Sequence, residues 1–134
     1  MVDAWMPVLY KVTAVVKSDT EYEYFDGEGN EFARVLKPPE HYTAAVVGCI
    51  GLTMHAILNK MKVEHQGIRV AGTATRTDGK PGMVESIELH VSVKAPELSE
   101  EQVERVKELT EKYCLIAESI RKGTRIDWVR VAFE

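Results

Sequence analysis

Residues 41 to 58, HYTAAVVGCIGLTMHAIL, contain no Asp, Glu, Lys or Arg over 18 positions, and a cysteine stands between two glycines near the middle. Pro38-Pro39 precede the run and Glu40 follows them. Pro39 suits the first turn of a helix, because its φ is already helical and its missing N–H would have no partner there. Glu40 favours the positive end of the helix dipole. The pattern predicts a helix from Pro39 to about Val63, with Gly67 terminating it after a short loop. A helix lying on one face of a sheet needs one apolar stripe, and this one is apolar nearly all round. One sheet and one partner helix cover two sides of it at most. The remaining side is expected to be covered by a second copy of the chain, with Ala44, Ala45, Gly48 and Gly51 allowing a neighbouring backbone to approach. That approach would offset the roughly 1 kcal/mol that each interior glycine costs a helix.

The flanks read as strands. Val8–Val16 is rich in β-branched residues, Glu21–Phe25 alternates acid with aromatic, and Glu31–Leu36 resumes an extended run after the turn residues Asp26-Gly27 and Gly29-Asn30. Beyond the apolar helix, Ile68–Arg76 and Val84–Lys94 are joined by the turn sequence TDGKPG. Ile87, Leu89, Val91 and Val93 share one face of the second of these strands, predicting a sheet with one side buried. A second helix starts at Ser99, with Gln102 completing a capping box and Leu98 stapled onto Val103. Val103, Val106, Thr110, Tyr113, Ala117 and Ile120 give it one stripe, and Gly123 ends it. Ile126–Phe133 is expected to close the chain as a strand. The order βββ-α-ββ-α-β makes this an α+β fold with a mostly antiparallel sheet, and 134 residues suit a single domain, 1–134.

Several function classes are set aside. A net charge of −4 with scattered Lys and Arg leaves no basic footprint for nucleic acid. The N-terminal MVDAWMPVLYKV has no apolar leader core, and the opening run is rich in Thr, His and Gly for a membrane span, so a cytoplasmic location is expected. His41, His55, His65 and His90 form no metal-binding spacing, the two cysteines make no zinc pattern, and no cofactor is implied. No G-x-S-x-G supports a hydrolase.

The two cysteines, Cys49 and Cys114, lie 65 positions apart. Both fall on apolar helical stripes, Cys49 sharing its face with Tyr42, Ala45, Leu52 and Thr53, and both are expected to point inward. In a reducing compartment they are either separate core residues or a working redox pair.

The chain as a whole resembles the OsmC/Ohr family of dithiol peroxidases. Three strands lead into a buried helix that reaches Gly-Cys, and a hairpin, a capped helix carrying Lys-Tyr-Cys and a last strand follow. The strongest stretch is PPEHYTAAVVGC, in which Glu40 precedes Cys49 by nine residues, similar to the subgroup with the shorter Glu-to-Cys spacing. The resemblance implies an intertwined homodimer with active sites at the subunit interface. Cys49 would then be the peroxidatic nucleophile, Cys114 the resolving thiol and Glu40 part of the polar network. It implies an organic hydroperoxide as substrate and an external thiol as reductant. Two features depart from the pattern: Cys114 leads into Leu-Ile-Ala, and the thiolate-activating arginine has one candidate before the helix, Arg34, which does not match the usual position. The other reading is a catalytically weak member of the fold that binds a small apolar ligand at the dimer interface.

Overall fold

The structure, a computed structural model, describes residues 8–96 and 98–133. The N-terminal residues that argue against a leader peptide lie in part outside them. Two strands, β1 (Val8–Val16) and β2 (Tyr22–Asp26), precede a 23-residue helix, α1 (Pro38–Lys60). Strands β3 (Gly67–Arg76) and β4 (Val84–Lys94) follow, then helices α2 (Glu100–Tyr113) and α3 (Leu115–Lys122). The strands form one antiparallel sheet in the order β2-β1-β3-β4. This is the expected α+β class with an antiparallel sheet and a central helix.

The core lies between the sheet and α1. Val12, Ala14 and Val16 of β1 and Ile68, Val70 and Ala74 of β3 are fully buried, and alternate positions carry them on the helix face. From α1 they meet Val47, Met54 and Leu58. A helix this long and apolar would suffice to cross a bilayer, yet packing against the sheet and two helices accounts for its composition.

The glycines of α1 serve contacts within the chain, which corrects the expectation that they admit a second subunit. A Cβ on Gly51 would lie 2.7 Å from a Val16 methyl, and one on Gly48 would collide with the Tyr24 hydroxyl. Bulk coming down from the sheet, rather than from a partner, fixes both as glycine.

Two expected strands are absent among the described residues. Glu31–Leu36 runs as an irregular strap, because Asp26 N–H bonds back to Asn30 O at 2.8 Å and closes the loop before a third strand can align. Both sides of β1 are by then occupied by β2 and β3. Ile126–Phe133 joins neither sheet edge and stands clear of the body, with Trp128 83% and Phe133 96% exposed. The observed order is therefore ββ-α-ββ-α-α.

The second helix begins as expected: Gln102 N–H donates to Ser99 Oγ at 3.2 Å, and Ser99 N–H donates to Gln102 Oε1 at 3.0 Å. It does not run through to Gly123. The backbone turns extended at Cys114 (ψ 111°), and α3 starts afresh. Val106, Thr110 and Cys114 are the buried positions. Steps of four residues drift about 40° each around a straight helix, so the break re-aims the chain once this stripe has been used. Val103, Tyr113 and Ile120, expected on the inward stripe, are exposed. The apolar face of β4 is also only partly covered: Leu89 and Val91 are exposed, and they line an open groove of about 550 Å³ with Ile50, Met54 and Val106.

Candidate active site

Two polar groups occupy α1, at its start and at its middle. At the start, Glu40 is the third helical residue and 5% exposed. Its Oε1 accepts from the Lys37 N–H at 2.7 Å, which satisfies an amide left open at the helix entry. Arg34, carried by the irregular strap, donates to both carboxylate oxygens, Nη1 to Oε1 at 2.7 Å and Nη2 to Oε2 at 2.8 Å. A third bond, from Nη1 to Val35 O at 3.0 Å, fixes the guanidinium plane. This is the fork-to-fork geometry of a strong charge-assisted pair. The Arg34 bond outweighs burial and holds Glu40 down at about 2, while Glu40 raises Arg34 in turn.

At the middle, Cys49 sits on a stripe of α1 that the described residues leave uncovered, with Tyr42 and Ala45 exposed and Leu52 and Thr53 half-buried beside it. The expectation that both thiols point inward therefore holds for Cys114, which is fully buried, and not for Cys49, which is partly accessible. Sheet and helices cover the opposite side of α1, and the stripe through Tyr42, Ala45 and Cys49 falls outside their reach. The Cys49 sulfur lies 3.9 Å from Thr53 Oγ1, one turn on.

The break between α2 and α3 delivers Cys114 to the same place. Burial raises its thiol first, and the adjoining Cys49 raises it further, while the amides of Ala117 and Ile116 at the start of α3 act in the opposite direction. The two sulfurs are thus neighbours across the α1–α2/α3 seam, both reduced. Two residues 65 positions apart meet because a helix stops where the second cysteine stands.

The structure does not unite all the expected site residues within one chain. Nine residues of helix separate Glu40 from Cys49 by about 13 Å along the axis and half a turn around it. Arg34 is committed to Glu40. Sequence reasoning missed Tyr24. It lies opposite Ala14 on β2, so it points to the helix face of the sheet, where its hydroxyl rests on Gly48 next to Cys49. The signal was available in the E-Y-E-Y-F alternation and in the glycine preceding the cysteine. Among the described residues no cluster of three or more His, Cys, Asp or Glu forms a metal site.

Comparison with known proteins agrees with this architecture. Protein YhfA of Escherichia coli K12 is 29% identical over 100 residues, covering 74% of this chain and 75% of that protein. Protein YhfA of Shigella flexneri matches equally. The crystal structure of an OsmC-like hydroperoxide resistance protein from Jannaschia sp. CCS1 superimposes with a TM-score of 0.63 over 90% of both chains, at 16% identity, which speaks to the fold. The family model for OsmC-like protein matches residues 29–129, spanning α1 with Cys49 and α2 with Cys114, and the chain belongs to that family.

Proposed function

We propose that this protein is a thiol-dependent reductase of organic hydroperoxides, cycling through a Cys49–Cys114 disulfide. The observation that carries the reading is the pairing of a partly accessible thiol with a fully buried one across a helix break. Cys49, as thiolate, attacks the terminal peroxide oxygen and becomes a sulfenic acid, releasing an alcohol. Cys114 then attacks the oxidised sulfur, a disulfide forms, and water leaves. An external dithiol returns both cysteines to thiols. Burial and the adjoining Cys49 raise the Cys114 thiol, so Cys49 is the thiol better placed to meet the peroxide first, which suits Cys114 as the resolving thiol.

The 134 residues act as one OsmC-like domain, and two copies associate as a homodimer. Two features favour the dimer: the uncovered stripe of α1 through Tyr42, Ala45 and Cys49, and the exposed apolar residues Ile126, Trp128, Val129, Val131 and Phe133. Because Glu40 and Cys49 face opposite ways on their own helix, the Arg34–Glu40 pair reaches a thiolate only across a subunit boundary. In this reading it is the neighbouring copy's Arg34 that contributes positive charge beside Cys49.

The test is mass spectrometry of the protein after one equivalent of tert-butyl hydroperoxide. A Cys49–Cys114 disulfide is expected in the parent and none in Cys49→Ser, with peroxide consumption in the presence of a dithiol lost in the same variant. Consumption unchanged in Cys49→Ser, or no disulfide in the parent, refutes the mechanism. A second reading, an OsmC-fold binder of small apolar ligands, is favoured by the open groove between β4, α1 and α2. It expects a ligand-induced rise in Tm from a fatty acid or similar amphiphile and no Cys49-dependent turnover.

A further inference from the structure

Tyr24 is carried by β2 onto the helix side of the sheet, against the residue that precedes Cys49. Its partner across the ladder is Ala14, whose small side chain leaves room for the phenol on the helix side of the sheet. Tyr22, two residues earlier, meets its ring edge-on at 6.1 Å and 85°, restricting how far it can swing. The ring ends on the Cα of Gly48, so the hydroxyl is held at the residue preceding Cys49, beside the accessible stripe of α1. The phenol is close enough to Cys49 to be raised by its charge, while the Cys49 sulfur has Thr53 Oγ1 at 3.9 Å on its own helix. A phenol held against Gly48, the residue before the accessible thiol, is placed to meet the leaving oxygen of a peroxide that reacts there.

We infer that Tyr24 is the proton donor to the leaving oxygen when a peroxide reacts at Cys49. The inference rests on the hydroperoxide-reductase reading above. In the step, the Cys49 thiolate forms an S–O bond to the terminal oxygen and the O–O bond breaks. Its electron pair passes to the alkyl-bearing oxygen, which takes the phenol proton and departs as an alcohol. Sulfur is oxidised to the sulfenic acid, the peroxide is reduced, and water reprotonates the phenolate. Burial, the neighbouring Tyr22 and the charge on Cys49 all raise Tyr24, so the phenol carries its proton when the thiolate is present. An arginine would stabilise the same developing charge without giving up a proton, so the two groups are not redundant.

The experiment compares two probes that differ in what they need. Tert-butyl hydroperoxide expels a strongly basic alkoxide, whereas peracetic acid expels acetate, which leaves without a proton. Rapid-quench rates of Cys49 oxidation are measured for the full-length parent and Tyr24→Phe. Tyr24→Phe is expected to slow the tert-butyl hydroperoxide reaction roughly 100-fold, the low end for general acid catalysis. The peracetic acid rate and the rate of Cys49 alkylation by iodoacetamide should stay within about twofold of the parent, as expected if no proton is transferred in those steps. Equal slowing with both peroxides would mean that Tyr24 only shapes the site, and no slowing with either would mean that it plays no part; each overturns the inference while the parent's reactivity still upholds the reductase reading. A parent that reacts with neither peroxide refutes both.

Discussion

Arg34 grips Glu40 with both ends of its guanidinium, at 2.7 and 2.8 Å, and so ties the irregular strap after β2 to the first turn of α1. The carboxylate is buried and the guanidinium half-exposed, so the pair is neither a solvated surface bridge nor a sealed interior one. It anchors the entry of the helix that carries Cys49, and its contribution to folding can be separated from any part in chemistry by titration.

Glu40 is lowered from 4.5 to about 2 in the folded chain. A group lowered on folding stabilises the native state above its unfolded pKa and loses that contribution as pH falls toward the folded value. Allowing for the exposure of Arg34, the effect is on the order of 2 kcal/mol. Urea unfolding of the parent should therefore show stability declining between pH 4.5 and about 2. Glu40→Gln should start lower at neutral pH and show a shallower decline over that window. Parallel curves would assign the acid sensitivity to other carboxylates.

The two glycines of α1 predict different costs. Gly51→Ala drives a methyl to 2.7 Å from Val16, which is fully buried and stiff at χ1, so overpacking of about 1 to 3 kcal/mol outweighs the gain in helix propensity. Gly48→Ala meets the far end of Tyr24 on an edge strand, where the ring can yield at the expense of its place beside Cys49. Gly48→Ala should cost less stability and more reactivity toward hydroperoxide. In a Tyr24→Ala background it should become neutral or stabilising by up to about 1 kcal/mol, the propensity difference alone. Chemical denaturation of the four-variant cycle measures this coupling.

Removing the resolving thiol should expose the fate of the first. Cys114→Ala leaves a small void in a fully buried position, costing about 1 to 2 kcal/mol. After excess peroxide, its Cys49 should carry two added oxygens as sulfinic acid, where the parent stops at the disulfide. In the parent, burial and Cys49 raise the Cys114 thiol, so disulfide closure should accelerate with pH through the ordinary thiol range and beyond it. Quenching the reaction with acid at successive times and pH values reads that rate directly.

Local rules made much of this fold legible, and the exceptions have a common cause. The Ser99–Gln102 box, the Pro38-Pro39 entry and the β-branched strand β1 each depend on near neighbours and each appears as expected, whereas the apolar face of β4, which needs a covering layer from elsewhere, is buried only in part. The reason for the glycines was not local: Gly48 answers to Tyr24, 24 positions earlier, and Gly51 to Val16. The break at Cys114 contains neither Gly nor Pro, so nothing in its own composition announces it. Arg34 looked unassigned because its partner, Glu40, was read as a helix-dipole residue and a network member rather than as a bidentate anchor. The neighbourhood of Cys49 and Cys114 came from family resemblance and could not have come from their spacing.

The segment after Gly123 offers the sharpest check on assembly. Ile126, Trp128, Val129, Val131 and Phe133 are all largely exposed, an apolar density that an isolated chain in water gains nothing by displaying. An extended run here presents Ile126 and Trp128 on one face and Val129, Val131 and Phe133 on the other, and among the described residues both edges of the sheet, β2 and β4, are open. In the proposed homodimer these residues are buried against the second copy. Truncation after Gly123 removes none of the buried core, so the shortened chain should keep its far-UV circular dichroism for residues 8–122. It should sediment as a monomer where the full chain sediments as a dimer. It should also lose hydroperoxide turnover, because the Arg34–Glu40 pair can no longer approach the Cys49 of another subunit. A truncated chain that remains dimeric and active would place the interface elsewhere, on the uncovered stripe of α1 alone.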